Sequence, residues 1–368
     1  MTVNLAAQQL ISFARGAPSV DIIDVEGLTT AAGRAFAADP VGVTAYGTSR
    51  GYPALRSWIA KRHDVAVHRV MITNGSLQAD AFVFDQFVRP GDAVVVERPT
   101  YDRTLLNLGE SGAKVYQVGL DAEGLDVQEL RALLVSGVRP TLVHVIPNFQ
   151  NPTGVTMSVR RRQDLLALAA EYDFVIFEDD PYTDVRFRGQ PLPSLLSLDT
   201  TDRVVYASSF TKTVCPGVRV GYLIGPKAVI ATITARASKL YISPSMVSEP
   251  IVYQFCRSGD HERSIATISA ALAERVAIMA GALRRYLPDA RFTEPDGGYF
   301  LWLELPGGVD ASAVVRAADD RGLAVVAGST FLLTGGHSTL RLSFSSVPAD
   351  RVEDGVRRLA EAVAAVSD

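Results

Sequence analysis

Of the 36 basic residues in this 368-residue chain only five are lysines, Lys61, Lys114, Lys212, Lys227 and Lys239, so a lysine in unusual company stands out. Lys212 is in such company. The segment Val204-Val205-Tyr206-Ala207-Ser208-Ser209-Phe210-Thr211-Lys212 runs an apolar strand into a hydroxyl-rich turn, and Arg219 follows seven residues later. Hydroxyls, one Lys and one Arg converging on a turn suit a phosphate monoester with a carbonyl beside it. Partial desolvation favours the amine form of such a lysine, which Schiff-base chemistry needs. A second segment, Phe177-Glu178-Asp179-Asp180-Pro181-Tyr182, sets three carboxylates at the end of a buried strand. That edge is where α/β proteins bind ligands, although a loop of solvated acids would read the same way. A third, Thr73-Asn74-Gly75-Ser76-Leu77-Gln78, follows a strand and opens a helix. Free amides and the helix dipole make that end a site for an anion, with the Ser76 hydroxyl beside it. Plain capping by Ser76 explains the serine equally well. The fourth, Pro147-Asn148-Phe149-Gln150-Asn151-Pro152-Thr153-Gly154, is a turn-rich loop in which the Asn151 amide is a rigid hydrogen-bonding group.

Several competing chemistries lack their residues. No GxGxxG or GxxxxGK[ST] loop is present. His63 and His68 are five apart, so one helix face does not offer both to a metal, and all five histidines are expected in surface or packing roles. Cys215 and Cys256 fit no metal or redox spacing and read as packing residues in a reducing cytosol. A net charge of −4 argues against a nucleic-acid binder. No uncharged apolar stretch reaches ~18 residues and the first ten residues lack a signal-peptide pattern, so no membrane span is expected and the protein reads as cytoplasmic.

The elements that must position these groups follow from periodicity. Amphipathic helical patterns at 52–62, 77–87, 159–171 and 265–286 alternate with short apolar runs at 70–73, 93–97, 141–146, 174–177 and 204–207. Short β-branched runs between helices mark parallel strands covered on both faces. Residues 45–250 therefore read as a doubly wound α/β unit. The remainder reads as a smaller α+β unit, with strands at 299–303, 323–326 and 340–343 and helices at 311–321 and 349–363.

In this order and spacing the four segments resemble the class I/II aminotransferases, fold-type-I enzymes that use pyridoxal 5′-phosphate, and within them the 2-aminoadipate aminotransferase-like group. The likeness runs from Ile11-Ser12-Phe13 to Arg341-Leu342-Ser343-Phe344. It implies a large, mostly parallel sheet domain over 26–255, and an N-terminal arm, 1–25, joined to a small domain, 256–368. It also implies that Lys212 is the Schiff-base lysine and later carries the proton between Cα and the cofactor. Asp179 would pair with the pyridinium nitrogen, Tyr182 and Asn151 would bond the phenolate oxygen, and Tyr101 would stack on the ring. Ser76, Ser209, Thr211, Arg219 and the amide of Leu77 would hold the phosphate, with Tyr46 reaching it from the second subunit of a homodimer. Arg341 would clamp the substrate α-carboxylate with help from Asn151, and Gly16 would line the substrate side.

Some positions depart from the family pattern. Leu77 stands where a glutamine is common, Arg15 where a glycine is, and the 265–286 helix lacks the usual arginine and tyrosine pattern. Arg15 is accordingly a candidate contact to the substrate side chain. The implied reaction moves an amino group from an α-amino acid to a 2-oxo acid. A lyase, decarboxylase, racemase or cyclase on the same fold would need the same lysine, aspartate and arginine.

Overall fold

An eight-stranded sheet carries the middle of the chain in the computed structural model, which describes residues 10–367. Its strands lie in the order Val70–Thr73, Gly221–Ile224, Val204–Ser209, Val175–Asp179, Pro140–Val145, Ala93–Arg98, Lys114–Asp121, Gly124–Leu125. From Val204–Ser209 to Lys114–Asp121 every pairing is parallel. Apart from the half-buried Val115 and Val175, the valines and isoleucines of these strands are buried, which is why they read as apolar runs. Gly221–Ile224 departs from the parallel set, running antiparallel to both of its neighbours, Val70–Thr73 and Val204–Ser209, so Val70–Thr73 points the same way as the parallel strands. The chain returns within residues 210–220, too few for a crossover, so the returning strand is antiparallel.

One face of the sheet, with Val94, Val96, Leu142, Phe177, Val205 and Ala207, packs against apolar residues of the Ser76–Phe87 and Lys227–Tyr241 helices. The other, with Val95, Val143, Ile176, Val204 and Tyr206, packs against residues of Pro53–Arg62, Val159–Tyr172 and Ser248–Arg257. The sheet is doubly wound, as expected.

The C-terminal part forms a four-stranded antiparallel sheet, ordered Arg291–Phe292, Phe300–Glu304, Thr339–Ser343, Val326–Ala327. Its core takes Val314 and Ala318 from Ala311–Asp319, Val352, Val356 and Leu359 from Ala349–Ser367, and Ile11 and Phe13 from the N-terminal arm. The run at 323–326 is two short strands: Leu323–Ala324 pairs in parallel with Ile11–Ser12, and Val326–Ala327 joins the four-stranded sheet.

The long helix starts at Asp260, five residues before the expected 265, and ends at Tyr286. Among the described residues it alone is long and apolar enough to cross a membrane by length and composition. Its Ile268, Leu272, Met279 and Leu283 lie in the core beside a buried Arg275, which bonds Ser345 O at 2.9 Å and Asp21 at 2.6 Å. The helix is thus a packed element of this unit.

Candidate active site

The C-terminal ends of the parallel strands open onto a cavity of about 260 Å³ between the two sheets. Gly16, Ser76, Tyr101, Asn151, Asp179, Tyr182, Lys212 and Arg341 line it, together with residues that sequence reasoning did not single out: Asp102, Arg103, Ile146, Pro181 and Phe300. Surface clefts of about 650, 570 and 480 Å³ are larger, but none of these is lined by a lysine.

Lys212 ends the turn after the Val204–Ser209 strand. Its Nζ donates to Gly16 O at 2.5 Å and lies 5.4 Å and 5.2 Å from the ring centres of Tyr182 and Tyr299. Tyr299 Oη donates to the Lys212 carbonyl at 2.8 Å and so fixes the lysine's backbone. Burial, and then the charge of Arg341, push the amine down to about 8, against the pull of Asp179. A useful fraction is therefore uncharged near neutral pH and able to attack a carbonyl.

Arg341 projects from Thr339–Ser343. It donates to Asn151 Oδ1 at 3.0 Å and to Ala14 O at 2.7 Å, with its guanidinium 4.3 Å and 4.7 Å from the ring centres of Phe300 and Phe331. Its buried Nε has no partner, an unmet donor on a cation at the cavity. Gly16 is required where it stands, because a Cβ there would lie 2.4 Å from Phe300 Cζ.

The three consecutive acids divide their work. Glu178 accepts the amides of Leu195 and Leu196, both at 2.8 Å, and caps a short helix. Asp180 accepts from Asn148 Nδ2 at 3.0 and 2.9 Å, and Asn148 Oδ1 in turn accepts from the buried Arg162 at 2.8 Å. Only Asp179 faces the cavity, and its buried Oδ1 has no partner. Strand alternation explains the division, since neighbouring residues point to opposite faces. His144 lies beside it, Nε2 3.9 Å from Asp179 Oδ2 with both ring nitrogens buried and unbonded. Its ring packs against Phe84 and Phe177, with centres 6.2 and 5.2 Å away, in keeping with the packing role expected of it.

At the opposite end, the helix Ser76–Phe87 points its N-terminus at the cavity. Gly75, with φ 86°, takes the capping position, so Ser76 is the first helical residue and not the cap. Arg219 packs against Gly75 and donates to Asn74 O at 3.1 Å. A Cβ on Gly221 would lie 2.6 Å from Gly75 C, so that strand and this helix end meet through bare backbone. Ser209 Oγ donates to Thr211 Oγ1 at 2.7 Å beside them. Amides, hydroxyls and a guanidinium thus share one corner, a cradle for a dianion. Ser209, Thr211, Arg219 and Leu77 stand around this corner outside the cavity wall. Arg15 is exposed, and its carbonyl accepts from Ser343 Oγ at 2.7 Å and from Ser345 Oγ at 3.5 Å. Tyr46 is 88% exposed and lies away from the wall.

An amine of lowered basicity and an unpaired buried carboxylate in one cavity, with an anion cradle adjoining it at Ser76, fit pyridoxal 5′-phosphate: its aldehyde, its basic ring nitrogen and its phosphate. When bound, this cofactor takes up the substrate's amino group and accepts the electron pair left when Cα loses its proton.

Comparison with known proteins agrees. The family Aminotransferase class I and II matches residues 8–359. The chain is 33% identical over 366 residues to aromatic-amino-acid aminotransferase 1 of Thermococcus litoralis, covering 96% of this chain and 88% of that one. It is similar to the crystal structure of the α-aminoadipate aminotransferase of Thermus thermophilus complexed with N-(5′-phosphopyridoxyl)-L-leucine, with TM-score 0.93 and 31% identity over 97% of this chain and 93% of that one. It is also similar to the kynurenine aminotransferase of Pyrococcus horikoshii in complex with PMP, with TM-score 0.92 and 32% identity over 98% and 92%. Fold, cavity and relatives converge: this chain belongs to the class I and II aminotransferases and is a pyridoxal-phosphate-dependent enzyme of fold type I.

Proposed function

We propose that the chain carries out amino transfer with Lys212 as the residue that holds the cofactor and moves the Cα proton. The supporting observation is the Lys212 amine, shared by one cavity with Asp179 and Arg341. In this reading Asp179 carries the negative charge opposite the ring nitrogen and keeps it protonated. Burial holds the Tyr182 phenol neutral, so with Asn151 it bonds the cofactor's ring oxygen. Tyr101 covers one ring face. Ser76, the Leu77 amide, Ser209, Thr211 and Arg219 take the phosphate, Arg219 with a two-pronged contact that a lysine lacks. Arg341 and Asn151 take the α-carboxylate beside Gly16, and Arg15 stays a candidate for the substrate's far end.

The substrates are an α-amino acid and a 2-oxo acid, and we take the large side chains in the relatives' names, aromatic and α-aminoadipate, as the class this chain accepts. A panel of amino acids, read by conversion of the bound cofactor to its pyridoxamine form, tests this. Faster conversion with aromatic or aminoadipate donors than with alanine or valine is the expected order, and the reverse order would overturn it.

We propose further that 26–255 and the combined segments 1–25 and 256–368 are the two domains, and that two chains form a cytoplasmic homodimer. Tyr46, Leu77, Ile242 and Val247 are all exposed. Gly47 lies against Met246, and Ser245 N donates to Asn74 Oδ1 at 3.3 Å, which brings these segments beside the cradle. An apolar surface at that place fits a second copy of the chain, with its Tyr46 completing the phosphate site. Tyr46→Phe removes one bond to a charged acceptor, worth about 1.5–3 kcal/mol. Cofactor retention should therefore weaken roughly ten- to hundredfold while the dimer persists. A monomer in solution, or unchanged retention, would count against the shared site.

A further inference from the structure

Asp80 is a buried carboxyl that nothing above uses. It sits on the helix Ser76–Phe87, one turn beyond Ser76, and is 1% exposed, with an Oδ1 that has no hydrogen-bond partner. This helix covers the sheet face that carries His144, Phe177 and Asp179. Phe84, one turn further along, has its ring centre 6.2 Å from that of His144 and 5.8 Å from that of Phe177. The helix that carries Asp80 thus covers the face that holds Asp179, whose own Oδ1 is also buried and unbonded. The groups around the pair are few. Tyr101 stands before the Asp102–Glu110 helix and feels both acids. His144 comes from Pro140–Val145 and Glu97 from Ala93–Arg98. On the cavity side are Lys212 and Tyr182. Among the described residues no cation bonds Asp80.

Two carboxylates sharing a dry site do not both ionise; one holds a proton. We propose that Asp80 is a positioning residue for the cofactor's ring nitrogen: as a neutral acid it keeps the single proton of the Asp80–Asp179 pair, so that Asp179 alone presents a negative charge. This rests on the reading of Asp179 as the ring nitrogen's partner. The assignment of the proton follows from surroundings. Burial first, and Asp179 second, push the Asp80 carboxyl well above the usual range, whereas Asp179 reaches the cavity and the His144 edge. As pH rises through its raised range Asp80 releases one proton to water, a second negative charge appears behind the ring, and the bound cofactor's absorption shifts in response.

The test uses holoenzyme without substrate. Infrared difference spectra at neutral pH, parent minus Asp80→Asn, should show the carbonyl band of one protonated carboxylic acid. In the parent that band should vanish, on raising the pH, together with a change in the cofactor's visible absorption. Asp80→Asn, neutral at every pH and nearly isosteric, should lack that step and retain cofactor at neutral pH within about twofold. Asp80→Leu, which has no group to donate, should weaken retention about three- to tenfold. Absence of the acid band from the parent, or the same titration in Asp80→Asn, would overturn the proposal. The parent measurement needs no variant to fold. Asp179→Asn separates the two readings. If its cofactor spectrum and retention match the parent while the Asp80 band persists, the fault lies with Asp179 as ring partner.

Discussion

Lys212→Ala should bind pyridoxal phosphate through the cradle yet fail to turn over. The substitution removes the amine that must attack the cofactor's carbonyl and the base that must carry the Cα proton. General acid–base action alone contributes typically about 10²–10⁴-fold, so the loss should be at least of that order. Lys212→Arg should be no better, because a guanidinium has no accessible neutral form. The fold should survive either change, since the Lys212 side chain makes one hydrogen bond, to Gly16 O, and its burial opposes its charge. Small added amines should restore part of the rate in Lys212→Ala. Steady-state turnover, with circular dichroism as the control for folding, checks this. Turnover within tenfold of the parent would remove Lys212 from the chemistry.

Arg341→Ala should cost about 2–5 kcal/mol of transition-state binding with α-amino acids, because truncation leaves the substrate carboxylate without its charged partner in a largely dry site. That is a loss of roughly 30- to several-thousand-fold in kcat/KM. Simple amines, having no carboxylate, should lose little; an equal loss with both would make Arg341 structural. A second consequence has a defined sign. Arg341's charge lowers the Lys212 amine, so in the apo form its removal should move the midpoint of Lys212 labelling from about 8 towards more alkaline pH.

Much of the site was legible because its groups sit on local signals. The hydroxyl-rich turn that ends in Lys212 and the Gly75-Ser76 helix start are contiguous in sequence, and the cavity or its cradle uses both. Arg341, by contrast, came only through family resemblance: its strand meets Asn151 across 190 positions, and no local pattern announces that contact. The acid triplet was legible as a site but not in its division of labour. Which acid faces the cavity depends on where Val175–Asp179 ends, and the neighbours of Glu178 and Asp180 come from other segments. Asp80, and the place of His144 beside Asp179, were hidden for a simpler reason. A single polar residue in an amphipathic helix reads as its wet face, and a histidine in an apolar strand reads as packing. In the fold, the parallel runs were visible from their apolar letters. Gly221–Ile224 and Lys114–Asp121 were not: the first is short and begins with glycine, and the second is an outer strand with polar residues.

Mixing the holoenzyme with one good amino-acid donor, in the absence of any 2-oxo acid, isolates half of the reaction. Amino transfer requires that the bound cofactor convert to its pyridoxamine form while one equivalent of the donor's 2-oxo acid appears per site, and then stop. Adding a 2-oxo acid should return the cofactor and form a new amino acid. Continued release of ammonia or carbon dioxide, or inversion of the donor with the cofactor unchanged, would contradict amino transfer and assign the same lysine, aspartate and arginine to another reaction at Cα.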